Sequence, residues 1–116
     1  MHKMAAHMRI FALKSCDTCS KALSRIRAAG HDPQVIDIRS DGIGPDDLTQ
    51  ILTRFGGAAI NRASTTWRGL SEAEKLLDPA ALLMLYPTLL KRPVIDNDGQ
   101  WSQGWTAEVQ SNLLKS

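Results

Sequence analysis

Long apolar runs are absent from this sequence. The longest, from Ala80 to Tyr86, falls far short of the ~20 residues a membrane helix needs, so no helical span is expected. Cysteine is scarce: the chain has two, Cys16 and Cys19. That excludes the several pairs of a small disulfide-stapled secreted domain. Histidine is limited to His2, His7 and His31, and there is no second cysteine pair, so a CxxC half-site lacks the further ligands of a tetrahedral zinc centre and no metal is expected. Charge of one sign is not in excess. A formal net charge of +2, spread along the chain, does not build the basic patch that nucleic-acid binding needs. Repeats, low-complexity tracts and linkers are also missing. The opening residues Met1 to Met8 are polar and lack the apolar middle of a signal peptide. The expectation is a cytoplasmic, monomeric protein that contacts neither membrane nor nucleic acid directly. Residues 1–7 read as a flexible extension, with Met4 and Met8 as alternative starts.

What is present is enough for one domain. A chain of 116 residues with 43% hydrophobic content buries roughly two-thirds of its unfolded surface and holds a core without staples. Met8 to Leu13 reads as a buried strand. Asp17 or Thr18 can cap a following helix, with Ala22, Leu23, Ile26 and Ala29 as its apolar stripe, Gly30 as its end and Pro33 as a block to continuation. Val35 to Ile38 is a second strand, and strand–helix–strand is most economically a parallel unit. Asp46 and Asp47 open a helix carrying Leu48, Ile51, Leu52 and Phe55, which stops at Gly56-Gly57. Ala59 to Leu70 has no clean period and reads as a loop with one turn of helix at most. Ser71 and Glu74 form a capping-box pattern, and Asp78-Pro79 starts a helix that runs to Tyr86. Lys91 to Ile95 is a short strand, Asn97-Asp98-Gly99 a hairpin turn, and Gln100 to Gln103 the return strand. Trp105 to Leu114 is a final helix with Trp105, Val109 and Leu113 on one face. The order β-α-β, helices over 40–90, then β-β-α is that of an α/β thioredoxin-like fold with a helical insertion and a four-stranded mixed sheet.

The chemistry concentrates in Ser15-Cys16-Asp17-Thr18-Cys19. Cys16 lies between a strand and a helix N-terminus, where unpaired backbone N–H groups favour a thiolate. Lys14 and Lys21 add positive charge and Asp17 opposes it. Such a thiolate suits attack on a disulfide, an oxidised thiol or an oxyanion substrate. Cys19, one turn on, can resolve a mixed disulfide; the alternative is a buried, inert small hydrophobe. Arg92-Pro93 fits the loop before the third strand, where thioredoxin-like folds carry a cis proline beside the reactive sulfur, and Arg92 would bring fixed charge near it. Asn61-Arg62, with Thr65-Thr66-Trp67-Arg68, reads either as a binding rim or as a solvated loop anchored by Trp67.

These residues carry a resemblance. Ile10 to Ala22, Asn61 to Leu70 and Leu90 to Val94 are similar, in order and spacing, to the motifs of the ArsC/Spx family. The Cys-Asp-Thr, Asn-x-x-x-Thr-Thr-Trp-Arg and Lys-Arg-Pro segments most resemble its YffB-like branch. The resemblance implies a glutathione-dependent thiol or disulfide oxidoreductase with Cys16 as nucleophile. Cys19 would be a resolving thiol and Arg92 a catalytic residue beside it, and Lys14, Asn61, Arg62 and Pro93 would bind glutathione or substrate. Glutathione would be a co-substrate rather than a bound cofactor, and glutaredoxin a candidate partner. An Spx-like redox regulator that binds RNA polymerase is the alternative implied by the Cys16–Cys19 spacing. Arsenate reduction is weaker. Of the family's three oxyanion-binding arginines only Arg92 has a clear counterpart, since Asn61 stands at the first position and Gln103-Gly104 near the third.

Overall fold

The computed structural model describes residues 7–114. The expected extension over residues 1–7 therefore lies outside the described residues apart from His7, whose carbonyl accepts from the Asp98 N–H at 2.8 Å. The chain divides into two compact units, one formed by Met1–Ile36 with Arg92–Ser116 and the other by Asp37–Lys91.

The first unit is built on the sheet. Strands β1 (Met8–Ala12), β2 (Gln34–Asp37), β3 (Val94–Asn97) and β4 (Gln100–Gln103) lie in the order β2-β1-β3-β4. The pairs β1–β3 and β3–β4 are antiparallel. Helix α1 (Asp17–Ala28) joins β1 to β2, and α6 (Ala107–Leu114) closes the chain. Side chains alternate across the pleat. Met8, Ile10 and Ala12 of β1 and Ile95 of β3 form one core cluster with Cys19, Ala22 and Ile26 of α1 and Leu113 of α6. On β1 and β3, Arg9 stands directly opposite Asp96, and their side chains make an ion pair at 2.6 Å. The Arg9 guanidinium also lies over the Phe11 and Trp101 rings, 5.5 and 5.7 Å from their centroids. Opposite charges paired across strands and stacked aromatics fix the register of this sheet. Asp96 further accepts from the Gly99 N–H at 2.8 Å. Asp98 and Gly99 both have positive φ, 54° and 92°, as a two-residue hairpin turn of the primed type requires.

Helix α1 ends as its sequence demands. The His31 N–H bonds to Ile26 O at 3.2 Å and the Gly30 N–H to Arg27 O at 3.0 Å. With Gly30 at φ 97°, this is a Schellman cap. Its start differs from expectation: the N-cap is Cys16, not Asp17 or Thr18.

The second unit is helical. It contains α2 (Pro45–Phe55), α3 (Thr65–Arg68), α4 (Glu72–Lys75) and α5 (Pro79–Leu85), with short 3₁₀ turns at Gly56–Ala59 and Pro87–Leu89. Leu48, Ile51, Ala59, Leu82, Leu83, Leu89 and Leu90 are buried. The capping box is complete: Glu74 N–H donates to Ser71 Oγ at 3.1 Å, and Ser71 N–H donates to Glu74 Oε1 at 2.9 Å. The single turn in the loop after Ala59 is α3, capped by Ser64.

Two element starts move by more than one residue. The third strand begins at Val94 rather than Lys91, because Pro93 has no N–H for a ladder and the Lys91 N–H is used by Ala59 O at 2.8 Å within the second unit. The last helix begins at Ala107 rather than Trp105. Thr106 Oγ1 takes the Val109 N–H at 3.2 Å, as a cap does. The architecture is an α/β fold with a four-stranded mixed sheet, thioredoxin-like in its element order.

Candidate functional site

Cys16 follows β1 through a tight turn, closed by its own N–H donating to Leu13 O at 3.1 Å. Its backbone is extended (φ −91°, ψ 110°), and its Sγ accepts from the Cys19 N–H at 3.2 Å. A serine or aspartate cap makes the same bond to the third helical residue. Here the acceptor is sulfur, so a group held by the electropositive end of α1 is also a nucleophile.

The two thiols are driven in opposite directions. Burial pushes Cys16 up, but the Cys19 thiol and N–H and the hydrogen bond and charge of Arg92 outweigh it, leaving Cys16 below the ordinary thiol range. Cys19 is pushed up to about 12, first by burial and then by its hydrogen bond to Cys16 and the charge there. It is only 3% exposed, among Ile10, Ala22, Ile26 and Ile95. Both cysteines are free thiols. The arrangement is one half-buried sulfur whose ionisation is eased, backed by a buried one whose ionisation is opposed.

The structure brings Cys16, Cys19 and Arg92 together within the first unit. The Arg92-Pro93 peptide is cis, as expected, and Pro93 is buried. The Pro93 carbonyl accepts from Gly104 N–H at 2.8 Å, tying this loop to the end of β4. Lys14 is exposed, and the charge that acts on Cys16 is that of Arg92. Asn61 and Arg62 belong to the second unit. There Asn61 Oδ1 accepts from Ala63 N–H at 3.0 Å, and Arg62 donates to Gly57 O at 3.0 Å while lying 5.2 Å from the Trp67 ring centroid. Lys75 approaches the same ring at 5.8 Å, and Arg68 donates to Ala63 O at 2.8 Å. Trp67 is thus held by two cations of its own unit. No group of three or more metal-ligating side chains occurs among the described residues.

A family model described as "ArsC family" matches residues 11–112. The chain belongs to the ArsC family. A Haemophilus influenzae relative, known only as an uncharacterized protein, is 40% identical, covering 78% of this chain and 84% of the relative. Among solved structures, the YffB protein superimposes with a TM-score of 0.85 at 28% identity, covering 93% of this chain and 99% of that one. An ArsC-related protein from Brucella melitensis matches at TM-score 0.69 and 28% identity over 94% of each chain. An arsenate reductase from Vibrio cholerae shares the fold, with TM-score 0.77 and 21% identity over 96% of this chain and 100% of that one. The chain is thus similar to the YffB protein within the ArsC family, and it carries a Cys16–Cys19 pair.

Sequence reasoning placed Cys16 at the junction of strand and helix but missed its cap role and the use of Cys19 as a hydrogen-bond donor to it. The signal was available in the spacing, because a cap bonds to the third helical residue. Thiols are simply not among the residue types that commonly cap.

Proposed function

We propose that this protein is a glutathione-dependent thiol–disulfide oxidoreductase with Cys16 as the attacking thiolate. The observation that carries this reading is the Cys16 sulfur serving as the N-cap of α1 beside Arg92. In the first step the Cys16 thiolate attacks the glutathione sulfur of a glutathionylated substrate. A new S–S bond forms to Cys16, the old one breaks, and the substrate leaves as a thiolate that takes a proton from solvent. A second glutathione, as thiolate, then attacks the glutathione sulfur on Cys16, releasing glutathione disulfide and restoring the Cys16 thiolate. Cys19 can replace that second glutathione only by losing its own proton. Arg92 favours the ionised form of the reacting sulfur in each resting state.

For arsenate the same site offers Arg92 as its cation, one anchor for an anion of one to two charges. A thiol substrate, which needs only an ionised sulfur, suits it better. Mass spectrometry after treatment with glutathione disulfide tests the reading. The expected product is one glutathione on Cys16, reversed by free glutathione and absent from Cys16→Ser. A wild-type protein that takes up no glutathione and forms no internal disulfide overturns it.

A further inference from the structure

An open cleft of about 570 Å³ runs along α1, lined by Ser20, Lys21, Ser24 and Arg25 and by Trp105 and Gln110 from the segment entering α6. All six residues belong to the first unit. The volume lies within the ~300–1,000 Å³ of small-ligand sites. Lys21 and Arg25 are exposed and form no ion pair among the described residues. No carboxylate lines the cleft. Asp17 and Glu108 are the acidic residues of the flanking helix starts, and both are exposed and outside the lining. The aromatic wall is fixed rather than loose. Gln110 Nε2 donates to Trp105 O at 3.1 Å, and Trp105 packs, partly buried, against the same core cluster as Cys16. Gln110 thereby keeps its amide oxygen as an acceptor, and Ser20 and Ser24 add hydroxyls.

The lining begins at Ser20, one helical turn along the backbone from Cys16, since the Ser20 N–H donates to Cys16 O at 3.0 Å. At 1.5 Å rise per residue, Lys21 lies roughly 7 Å and Arg25 roughly 13 Å along the axis from Cys16. A tripeptide thiol carries its carboxylates one to two residue lengths from its sulfur, roughly 4–8 Å. The long Lys21 and Arg25 side chains can span the rest.

We propose that the α1–Trp105 cleft binds the carboxylate-bearing end of a small anionic peptide thiol, the glutathionyl group, while its sulfur engages Cys16. This rests on the thiol-exchange reading for its purpose but not for its measurement. S-methylglutathione cannot react with Cys16, so binding is read without chemistry. Titration followed by NMR should shift the amides of Ser20, Lys21, Ser24 and Arg25 and the Trp105 indole N–H saturably. Shifts confined to other residues, or none at millimolar ligand, overturn the proposal.

A second arm uses charge. Lys21→Glu with Arg25→Glu should slow glutathionylation of Cys16 by glutathione disulfide about five- to tenfold at low ionic strength, and the difference should shrink in 1 M salt. Lys21→Gln with Arg25→Gln should fall between. Neutral iodoacetamide should alkylate Cys16 in all three proteins at rates within about twofold, because the Cys16 environment is Cys19 and Arg92. An equal loss with iodoacetamide, or no loss with glutathione disulfide, refutes the cleft. Failure of the wild type to form any glutathione adduct, with the S-methylglutathione shifts intact, refutes the enzymatic reading and leaves the cleft standing.

Discussion

Alkylation across pH should separate the two thiols by more than their spacing suggests. With its thiol at about 12, Cys19 is ionised to only ~10⁻⁵ at pH 7, whereas an ordinary cysteine is ionised to a few per cent. The deficit is roughly 3,000-fold. A more basic thiolate is intrinsically more nucleophilic, and a Brønsted slope of ~0.4–0.5 recovers roughly 30-fold of it. Ionisation alone then leaves Cys19 ~10²-fold slower than a free cysteine, and its 3% exposure slows it further. Cys16 is ionised more than an ordinary thiol. In wild-type protein treated with iodoacetamide from pH 5 to 10, with peptide mapping by mass, the Cys16 peptide should label at least ~10²-fold faster at pH 7. Its rate should level off at lower pH than that of a free cysteine. Labelling of Cys19 within tenfold of Cys16, or a Cys16 profile that titrates like a small-molecule thiol, would refute the reasoning.

Arg92→Met removes a hydrogen bond and a positive charge from the Cys16 sulfur while keeping a long apolar side chain. Alkylation of Cys16 at pH 7 should slow several-fold and recover at high pH. Asp96→Ala leaves the partly buried Arg9 without its 2.6 Å partner and Gly99 N–H without its acceptor. Urea unfolding should show a loss of about 2–3 kcal/mol. Cys19 keeps its proton in the folded state at pH values where the unfolded chain loses it, since its pKa is raised from 9.0 to about 12. Its contribution to stability is therefore intact below pH 9 and declines as pH rises through that interval, by at most about 4 kcal/mol. Cys19→Ala should flatten that decline relative to wild type in denaturation curves at pH 8 to 11. Cys16, with a lowered value, acts in the opposite sense, adding stability above the ordinary thiol range and losing it as pH falls through its own.

Much of the fold was legible because its instructions are local. Gly30 after an apolar stripe, Asp98-Gly99 between alternating residues, and Ser71 three before Glu74 each specify geometry through atoms a few residues apart. Each is found in the structure. The third strand was misplaced by three residues because Lys91, Arg92 and Pro93 have the composition of a strand entry, while the ladder starts only where β1 and β4 offer partners. Arg62 illustrates the same limit from the functional side. A loop arginine reads as open to solvent on every side, whereas in the structure its guanidinium donates one bond to Gly57 O and lies over the Trp67 ring.

The sequence by itself determined the element order, the end of the first helix, the hairpin and the cysteine pair at a strand-to-helix junction, since periodicity, caps and turns act over a handful of bonds. Tertiary structure alone decided that Arg9 faces Asp96, and that the thiols of a symmetric-looking pair shift in opposite directions, Cys16 down and Cys19 up. Those outcomes depend on burial and on through-space distances between residues far apart in the chain, and electrostatic energy in a protein is set by just those two quantities.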